Sequence, residues 1–385
     1  MSFSISDQIK YIGADDTDLD LFESQYIVPN GVSYNSYLIL DEKIAVMDTI
    51  DKRKTEEWLA NLAGELGDKM PDYLVVSHME PDHAASIERA ANTYPSMKIV
   101  GNMKTLQMMK QFFETDFTDR FVEVKEGDKL SLGEHELTFL MAPMVHWPEV
   151  MVEYESKEKI LFSADGFGKF GALSADEDWA CEARRYYFNI VGKYGVQVQA
   201  LLKKAATLDI QTICPLHGPI LTENLSYYID KYNTWSSYSP EDKGILVASA
   251  SIHGNTKAAA LKLVEKLEAT GVKVAFTDLT RDDMAEAIED AFRYDRMVVC
   301  ACTYDGGLFP AAESFIAHLK SKNYQNRTVG FVENGSWAPM AAKHMRAAFE
   351  TMKNITLLDS VVTIKSTLNK DSEAQMDALV AELTK

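Results

Sequence analysis

The chain has 385 residues and a formal net charge of −19, with 46% apolar and 25% charged residues. This length exceeds what one hydrophobic core usually holds, so we expect a globular protein of two domains. The negative charge argues against nucleic acid and anionic membranes as partners, because both bind basic surfaces.

The N-terminal stretch "MSFSISDQIK" lacks the apolar core of a signal peptide, and no apolar run is long enough to span a bilayer. The four cysteines are Cys181, Cys214, Cys300 and Cys302. Cys300 and Cys302 alternate along an apolar run, which is typical of small core residues rather than of a disulfide or a zinc site. We therefore expect a cytoplasmic protein that does not bind membranes.

Residues 1–240 are predicted to form a domain rich in strands. "YLILDEKIAVMDT" is typical of two strands joined by a charged turn, and further short apolar runs follow it, among them "DYLVVS", "KIVG", "LTFLMAP" and "KILFS". Helical periodicity is found at about 52–66, 104–114 and 180–205. The pattern indicates sheets covered by a few helices.

Seven residues of metal-ligand type follow strands of this domain. His78, Glu80, Asp82 and His83 lie within "SHMEPDHAAS", directly after the strand "DYLVV". Strand ends at one edge of a sheet converge in space, so these residues are expected to meet others that also follow strands. Those others are His146, Asp165 and His217. Each of these three alone is usually a turn or core residue, but seven together exceed one four-coordinate zinc site and suit two metals sharing a carboxylate.

A polar stretch, "WSSYSPEDKG" at 235–244, precedes a second domain at 243–385. Five predicted strands alternate there with helices at about 256–270, 282–292, 311–321, 339–352 and 371–383. This alternation predicts a doubly wound parallel sheet, and the length suits its flavodoxin-like version, which binds its ligand at the carboxyl ends of the strands.

Three polar, glycine-containing loops follow strands one, three and four of the second domain. Their small residues allow backbone N–H groups to surround a phosphate at a helix N-terminus. These are the positions at which a flavodoxin-like fold holds FMN, and no dinucleotide fingerprint indicates NAD. The candidate cofactor-binding residues are Ser251, Ile252, His253, Gly254, Asn255, Thr256, Thr303, Tyr304, Asp305, Gly306, Gly307, Asn334, Gly335, Ser336 and Trp337.

The metal motif resembles that of the metallo-β-lactamase fold, whose dizinc members carry His-x-His-x-Asp-His. Here the middle position is Glu80, which matches the flavodiiron proteins, and both halves of the chain resemble that family. A hard carboxylate in place of imidazole favours iron or manganese over zinc. The resemblance implies an α/β protein with an N-terminal metallo-β-lactamase-like αββα sandwich followed by a flavodoxin-like doubly wound parallel sheet.

The resemblance also implies roles for the site residues. His78, Glu80 and His146 would hold one of two non-haem irons, and Asp82, His83 and His217 would hold the other, with Asp165 bridging them. Within "EARRYYFNIVG", Tyr187 corresponds to a tyrosine near the diiron pocket. Tyr26 and Trp147 are further candidates for the pocket wall, although core packing explains all three equally well.

As a flavodiiron protein, the chain would pass electrons from FMN to the diiron site and reduce O2 to water, NO to N2O, or both. The family forms a head-to-tail homodimer, or a dimer of such dimers. We expect no fused rubredoxin or flavin reductase in this chain. Its electrons would therefore come from a separate donor, rubredoxin or the deazaflavin F420.

Two other functions fit parts of the sequence. A dizinc hydrolase with an attached flavodoxin domain would use a metal-activated water, but Glu80 and a redox domain argue against it. A non-catalytic electron carrier with a degenerate metal site would not need all seven ligand-type residues. Metal and flavin content would separate these functions.

Overall fold

The computed structural model describes residues 2–385 and divides the chain into two compact units. The first unit extends to Tyr187 and includes Val196–Asn233, and the second comprises Phe188–Gly195 and Thr234–Lys385. The boundary expected at 240–243 from the sequence stays a prediction. No helix within the described range of the chain is long and apolar enough to cross a membrane.

The first unit is built on two larger sheets. One has seven strands, in the order Phe3–Ser4, Ile9–Tyr11, Tyr37–Ile39, Ala45–Met47, Tyr73–Val75, Lys98–Gly101 and Phe121–Glu123. The other has five, in the order Lys129–Ser131, Glu136–Met141, Met151–Glu155, Ile160–Phe162 and Thr212–Cys214. Two small two-stranded sheets pair Ala14–Asp16 with Val32–Tyr34 and Leu21–Phe22 with Tyr26–Ile27.

Alternating side chains of the two larger sheets share one buried core. Leu137 and Phe139 point into it from the five-stranded sheet, and Tyr37 and Ile39 belong to the same cluster from the seven-stranded sheet. The period of two along each strand places these residues on one face. The helices of this part of the chain are Thr55–Leu66, Pro81–Ala84, Ile87–Thr93, Met103–Phe112, Trp179–Tyr186, Gly195–Ala205 and Leu225–Ser236, with short 3-10 turns at Lys52–Lys54 and Thr118–Arg120.

The helix predicted over 180–205 is interrupted. It runs as an α-helix over Trp179–Tyr186, widens into a π-turn at Tyr187–Val191 and tightens into a 3-10 turn at Gly192–Tyr194 before continuing. Gly192 and Gly195 weaken the helix at this point, since glycine costs more backbone entropy than other residues. The range predicted to be helical is helical throughout, but it is not one regular α-helix.

The second unit has the expected doubly wound parallel sheet. Its strands lie in the order Val274–Asp278, Asp242–Ala250, Tyr294–Tyr304, Thr328–Asn334 and Thr356–Ile364, which is 2-1-3-4-5 in chain order and is the flavodoxin arrangement. A short strand, Gly307–Leu308, pairs antiparallel with the third. The helices are Asn255–Glu268, Met284–Arg293, Pro310–Ser321, Ala341–Phe349 and Lys370–Leu383.

Candidate metal centre and flavin site

The first group of ligand-type side chains converges on the carboxylate of Glu80. Its Oε2 atom lies 3.3 Å from Nε2 of His78 and 2.9 Å from Nε2 of His146. The same two ring nitrogens lie 3.3 and 3.1 Å from Oδ2 of Asp165. Ligand atoms of one metal ion, each about 2.1 Å from it, are separated by about 3 to 3.4 Å. The spacing fits one ion.

The second group lies around Asp82. Nε2 of His217 is 3.2 Å from Oδ2 of Asp82, and Nε2 of His83 is 3.4 Å from the same oxygen. The two ring nitrogens are 3.0 Å apart. Oδ1 of Asp165 faces them at 3.4 Å from His83 and 3.9 Å from His217. All seven predicted ligands thus meet, and each oxygen of Asp165 faces a different group.

Local structure explains how four ligands of one short segment face two groups. Asp48, at the end of a strand, accepts hydrogen bonds from the backbone N–H of Ser77 at 2.7 Å and of His78 at 3.3 Å, which orients the turn. Glu80 is then the N-cap of the short helix Pro81–Ala84, with proline at its first position. The change from extended backbone to helix turns Asp82 and His83 away from His78 and Glu80.

The donor set fits two metal ions. Both oxygens of Asp82 and of Asp165 are buried, and none has a hydrogen bond of acceptable geometry within residues 2–385. Buried carboxylates require positive charge or hydrogen-bond donors. Burial opposes ionisation of Asp165, but the charge of His78 and contacts with His146 and His83 hold the pKa of Asp165 well below its usual value. The site is therefore arranged for anionic oxygens facing cations.

The same balance acts on Glu80 and His146. Burial opposes the ionised form of Glu80, yet its contacts with His146 and His78 lower its pKa. Burial disfavours protonated His146, but its contacts with Asp165 and Glu80 raise its pKa to about 9. In the metal-free site, protons on the imidazoles would supply the positive charge that the carboxylates require, so protons and metal ions compete for these nitrogens.

Aromatic rings surround the two groups. Trp147 packs edge-on against His78, with ring centroids 5.4 Å apart. Phe22 and Tyr186 lie against His217 at 5.4 and 5.5 Å. Tyr26 is buried and packs on a neighbouring phenylalanine ring; its burial and the negative charges of Glu23 and Glu80 raise its pKa. With these rings around them, six of the seven ligand-type residues are buried.

Tyr186, next to the predicted Tyr187, packs on His217, as Tyr34 does with ring centroids 6.1 Å apart. The role expected for Tyr187 stays a prediction. Tyr187 packs instead against Tyr232, with ring centroids 5.1 Å apart. Tyr186 ends the α-helix and Tyr187 begins the π-turn, so the two adjacent side chains point in different directions. Sequence reasoning missed Tyr186 because "RRYYF" offers two adjacent tyrosines and no signal to separate them.

Two further carboxylates near the ligands were also missed. Burial of its carboxyl group, the charge of Glu80 and a hydrogen bond with Glu80 raise the pKa of Glu23 to about 7, although other atoms of the residue are exposed. Glu149 is buried against His78. Its place three residues after His146 in "HWPEV" is a signal that the sequence offers.

The predicted flavin loops line a cavity of about 640 Å³ in the second unit. This volume is within the usual range for a cofactor site. Thirteen of the fifteen predicted residues line it; Gly254 and Gly307 do not. Gly254 has φ of +91° and precedes the helix Asn255–Glu268, so it shapes the turn in front of that helix. The cavity thus adjoins the N-terminus of a long helix, where a phosphate group binds well.

Two of the lining residues hold the loops together. Thr303 accepts hydrogen bonds through Oγ1 from the backbone N–H of Met340 at 2.8 Å and of Ala341 at 3.2 Å. Asn334 donates to the carbonyl oxygen of Ser366 and accepts from its N–H, both at 3.0 Å. Ser366 also lines the cavity and was missed, because the loop after the fifth strand carries no glycine-rich pattern. Tyr304 and Trp337 are exposed, Trp337 to 92%.

Comparison with known proteins identifies the family. Residues 32–218 match the family described as ODP family beta lactamase. The chain has the fold of rubredoxin oxygen:oxidoreductase from Desulfovibrio gigas, with a TM-score of 0.92 and 24% identity, covering 100% of this chain and 99% of that one. It is 32% identical over 294 residues to diflavin flavoprotein A 1 of a Synechocystis species, which covers 74% of this chain.

The chain belongs to the flavodiiron family. It is therefore an oxidoreductase of the flavodiiron type, and FMN and two non-haem irons, expected from the sequence, are the cofactors of that family. This flavodiiron chain is also 27% identical to the anaerobic nitric oxide reductase flavorubredoxin of Aeromonas hydrophila, over 88% of this chain and 70% of that protein. It spans only 51% of the length of the Synechocystis relative.

Proposed function

We propose that this flavodiiron protein reduces O2 to water, NO to N2O, or both. The observation that carries the proposal is Asp165, whose two buried carboxylate oxygens each face a separate group of ligands. That arrangement would hold two metal ions close together, and a diatomic molecule would bind at them. The similar proteins include a rubredoxin oxygen:oxidoreductase and an anaerobic nitric oxide reductase flavorubredoxin, so both substrates are retained.

The residues of this chain have defined roles in the proposal. Bound irons and FMN would supply one- and two-electron transfer to a small molecule. The three acidic ligands, Glu80, Asp82 and Asp165, would balance most of the charge of two divalent ions and favour hard metals. Trp147 and Tyr186 would restrict the space beside the ligands and keep bulk water out.

The flavin cavity supports the electron-transfer part of the proposal. The N-terminus of the helix Asn255–Glu268 would hold the phosphate of FMN, and Tyr304 and Trp337 would lie near its ring. We propose that the electrons come from a separate donor, rubredoxin or reduced F420. A head-to-tail homodimer and a cytoplasmic location belong to the same proposal.

Metal and flavin analysis of the purified protein tests this function. We expect about two irons and one FMN per chain, and consumption of O2 or NO when reduced rubredoxin is supplied. Two zincs with no consumption of either gas would support the dizinc hydrolase. Flavin without metal would support an electron carrier.

A further inference from the structure

The two metal positions have ligand sets of equal composition. His78, His146 and Glu80 form the first position, and His83, His217 and Asp82 form the second. Each has two imidazoles and one carboxylate of its own, and each faces one oxygen of Asp165. The direct ligands therefore give no difference in charge between the positions.

The two positions differ in the residues that hydrogen-bond to their ligands, and the residue that makes the difference is Glu149. This carboxylate is buried, and its Oε1 atom accepts a hydrogen bond from Nδ1–H of His78 at 2.8 Å. It also accepts one from the backbone N–H of Met79 at 2.8 Å. The contact fixes the tautomer of His78, because Nδ1 carries the proton and Nε2 is left to face Glu80 and Asp165.

The rings of the second position lack such a partner. Nδ1 of His217 donates to the backbone carbonyl of Ser33 at 2.8 Å, which is a neutral acceptor. Nδ1 of His83 is buried and has no hydrogen-bond partner in the described part of the chain. Asp48, another buried acid near this turn, accepts from the backbone N–H groups of Ser77 and His78 rather than from a ligand ring.

Glu149 also connects two loops that carry ligands of the first position. Its carboxylate binds the ring of His78 and the backbone N–H of Met79, while its own backbone lies three residues from His146. The amide of Asn102 donates to the carbonyl oxygen of Glu149, and Lys104 donates to that of Pro148, so this loop is held at several points. These contacts hold the loops that carry His78 and His146 in a fixed position relative to each other.

We propose that Glu149 is a positioning residue that makes the two metal sites unequal, so that the ion held by His78, Glu80 and His146 is bound more tightly and lost last. A carboxylate behind a ligand imidazole fixes its orientation and increases its basicity, and such partners alter metal affinity by about 10- to 100-fold. A neutral carbonyl acceptor increases the basicity of a ligand imidazole less than a carboxylate does, and an imidazole with no partner at Nδ1 gains none. This inference rests on the proposed diiron function.

The test is graded removal of iron from the holoprotein. Crystals of the reduced, iron-loaded protein are soaked anaerobically in a chelator, and anomalous scattering gives the iron occupancy at each position over time. In solution, Mössbauer spectra of protein loaded with ⁵⁷Fe follow the two iron signals. We expect the iron beside His83 and His217 to be lost first, with rates for the two positions differing by about 10- to 100-fold.

Glu149→Gln is the decisive variant, because glutamine keeps the size and an acceptor oxygen but removes the charge. We expect it to bring the two rates of iron loss to within a few-fold of each other and to change the Mössbauer signal of the first iron only. Glu153→Gln controls for the substitution of a buried acidic side chain: Glu153 is equally buried but accepts from Oγ of Ser77 at 2.9 Å, not from a ligand. That variant should behave as the wild type.

The outcomes separate this inference from the proposed function. A protein that binds no pair of metals contradicts the proposed function itself. Two irons lost at equal rates in the wild type, or a wild-type pattern in Glu149→Gln, overturn the role of Glu149 and leave the diiron function standing. A far-UV circular dichroism spectrum like that of the wild type shows that each variant has folded. Glu149→Asp, which keeps the charge on a shorter side chain, should restore part of the difference.

Discussion

Glu80 brings a carboxylate oxygen between two imidazoles, 3.3 Å from His78 and 2.9 Å from His146. If this oxygen selects iron, Glu80→His should shift the metal content toward zinc and abolish reductase activity, because a third imidazole in place of a carboxylate favours softer metals. Elemental analysis and gas-consumption assays of the purified variant measure both effects. Retained iron and activity would show that Glu80 does not determine the metal.

Asp165 differs from the other ligands because it faces both groups. Asp165→Ala should therefore lose at least one metal ion per chain, since neither oxygen remains to connect the two positions. Metal analysis after dialysis gives the result, with Glu153→Ala as a buried carboxylate outside the ligand set. Full occupancy of both positions in Asp165→Ala would show that this residue is not the bridge.

Tyr186 and Tyr187 offer a comparison between neighbours in the sequence. Burial and the charges of Asp165, Glu80 and Asp82 raise the pKa of Tyr186, so its hydroxyl proton is retained at neutral pH. We expect Tyr186→Phe to lower turnover, by up to about 100-fold if the hydroxyl delivers a proton. Tyr187→Phe should leave turnover unchanged, since this ring packs on Tyr232. If steady-state turnover instead falls in Tyr187→Phe and not in Tyr186→Phe, Tyr187 is the tyrosine that acts at the pocket, as the sequence predicted.

Among the secondary-structure elements, the helix Ala341–Phe349 depends on a residue from a different loop. Thr303 accepts hydrogen bonds from the first N–H groups of this helix and also lines the flavin cavity. Thr303→Val should lower the free energy of unfolding by about 1 kcal/mol, as other lost helix caps do, and weaken FMN binding. Denaturant unfolding and flavin titration measure these effects.

Thr303→Ser is the control for this prediction, because it keeps the hydroxyl group. We expect it to retain most of the stability and affinity lost in Thr303→Val. If serine is as damaging as valine, the hydrogen bonds of Thr303 do not explain the loss, because serine keeps the hydroxyl group that makes them.

Among the strands and helices, local sequence pattern predicted some elements and missed others. Regular alternation of strands and helices predicted all five strands and helices of the second unit, because each carries its own apolar period. In the first unit the hairpin Leu21–Phe22 with Tyr26–Ile27 was not predicted, since two-residue strands are set by tertiary contacts. It is nevertheless this hairpin that brings Phe22 against His217.

Some residues of the candidate site could likewise be predicted from the sequence, and others could not. The seven ligand-type residues could be found from sequence because each follows an apolar strand or lies in one short motif. Glu149 and Glu23 could not be ranked, because a carboxylate matters only once its neighbours in space are known. Gly254 is the opposite case, because it was predicted to bind the cofactor but does not line the cavity. Its positive φ explains why glycine occupies this position of the loop.

For the whole molecule, the two compact units have separate hydrophobic cores. One joins the sheets of the first unit, and includes Leu137 and Phe139; the other lies in the second unit, and includes Val298 and Leu263. The metal ligands all belong to the first unit, whereas the residues that line the flavin cavity belong to the second. Each cofactor is therefore expected to stabilise its own unit.

Removal of metal from the holoprotein tests this independence. A ligand stabilises the folded state by about 4 kcal/mol when present at 1,000 times its dissociation constant. With metal removed by a chelator, we expect faster amide hydrogen exchange in the strands Tyr73–Val75 and Ile160–Phe162, which precede ligands. The central strand of the second unit, Tyr294–Tyr304, should be unchanged. Equal acceleration in both units would instead mean that the metal stabilises the chain as one cooperative structure, because local opening would no longer follow the division of the cores.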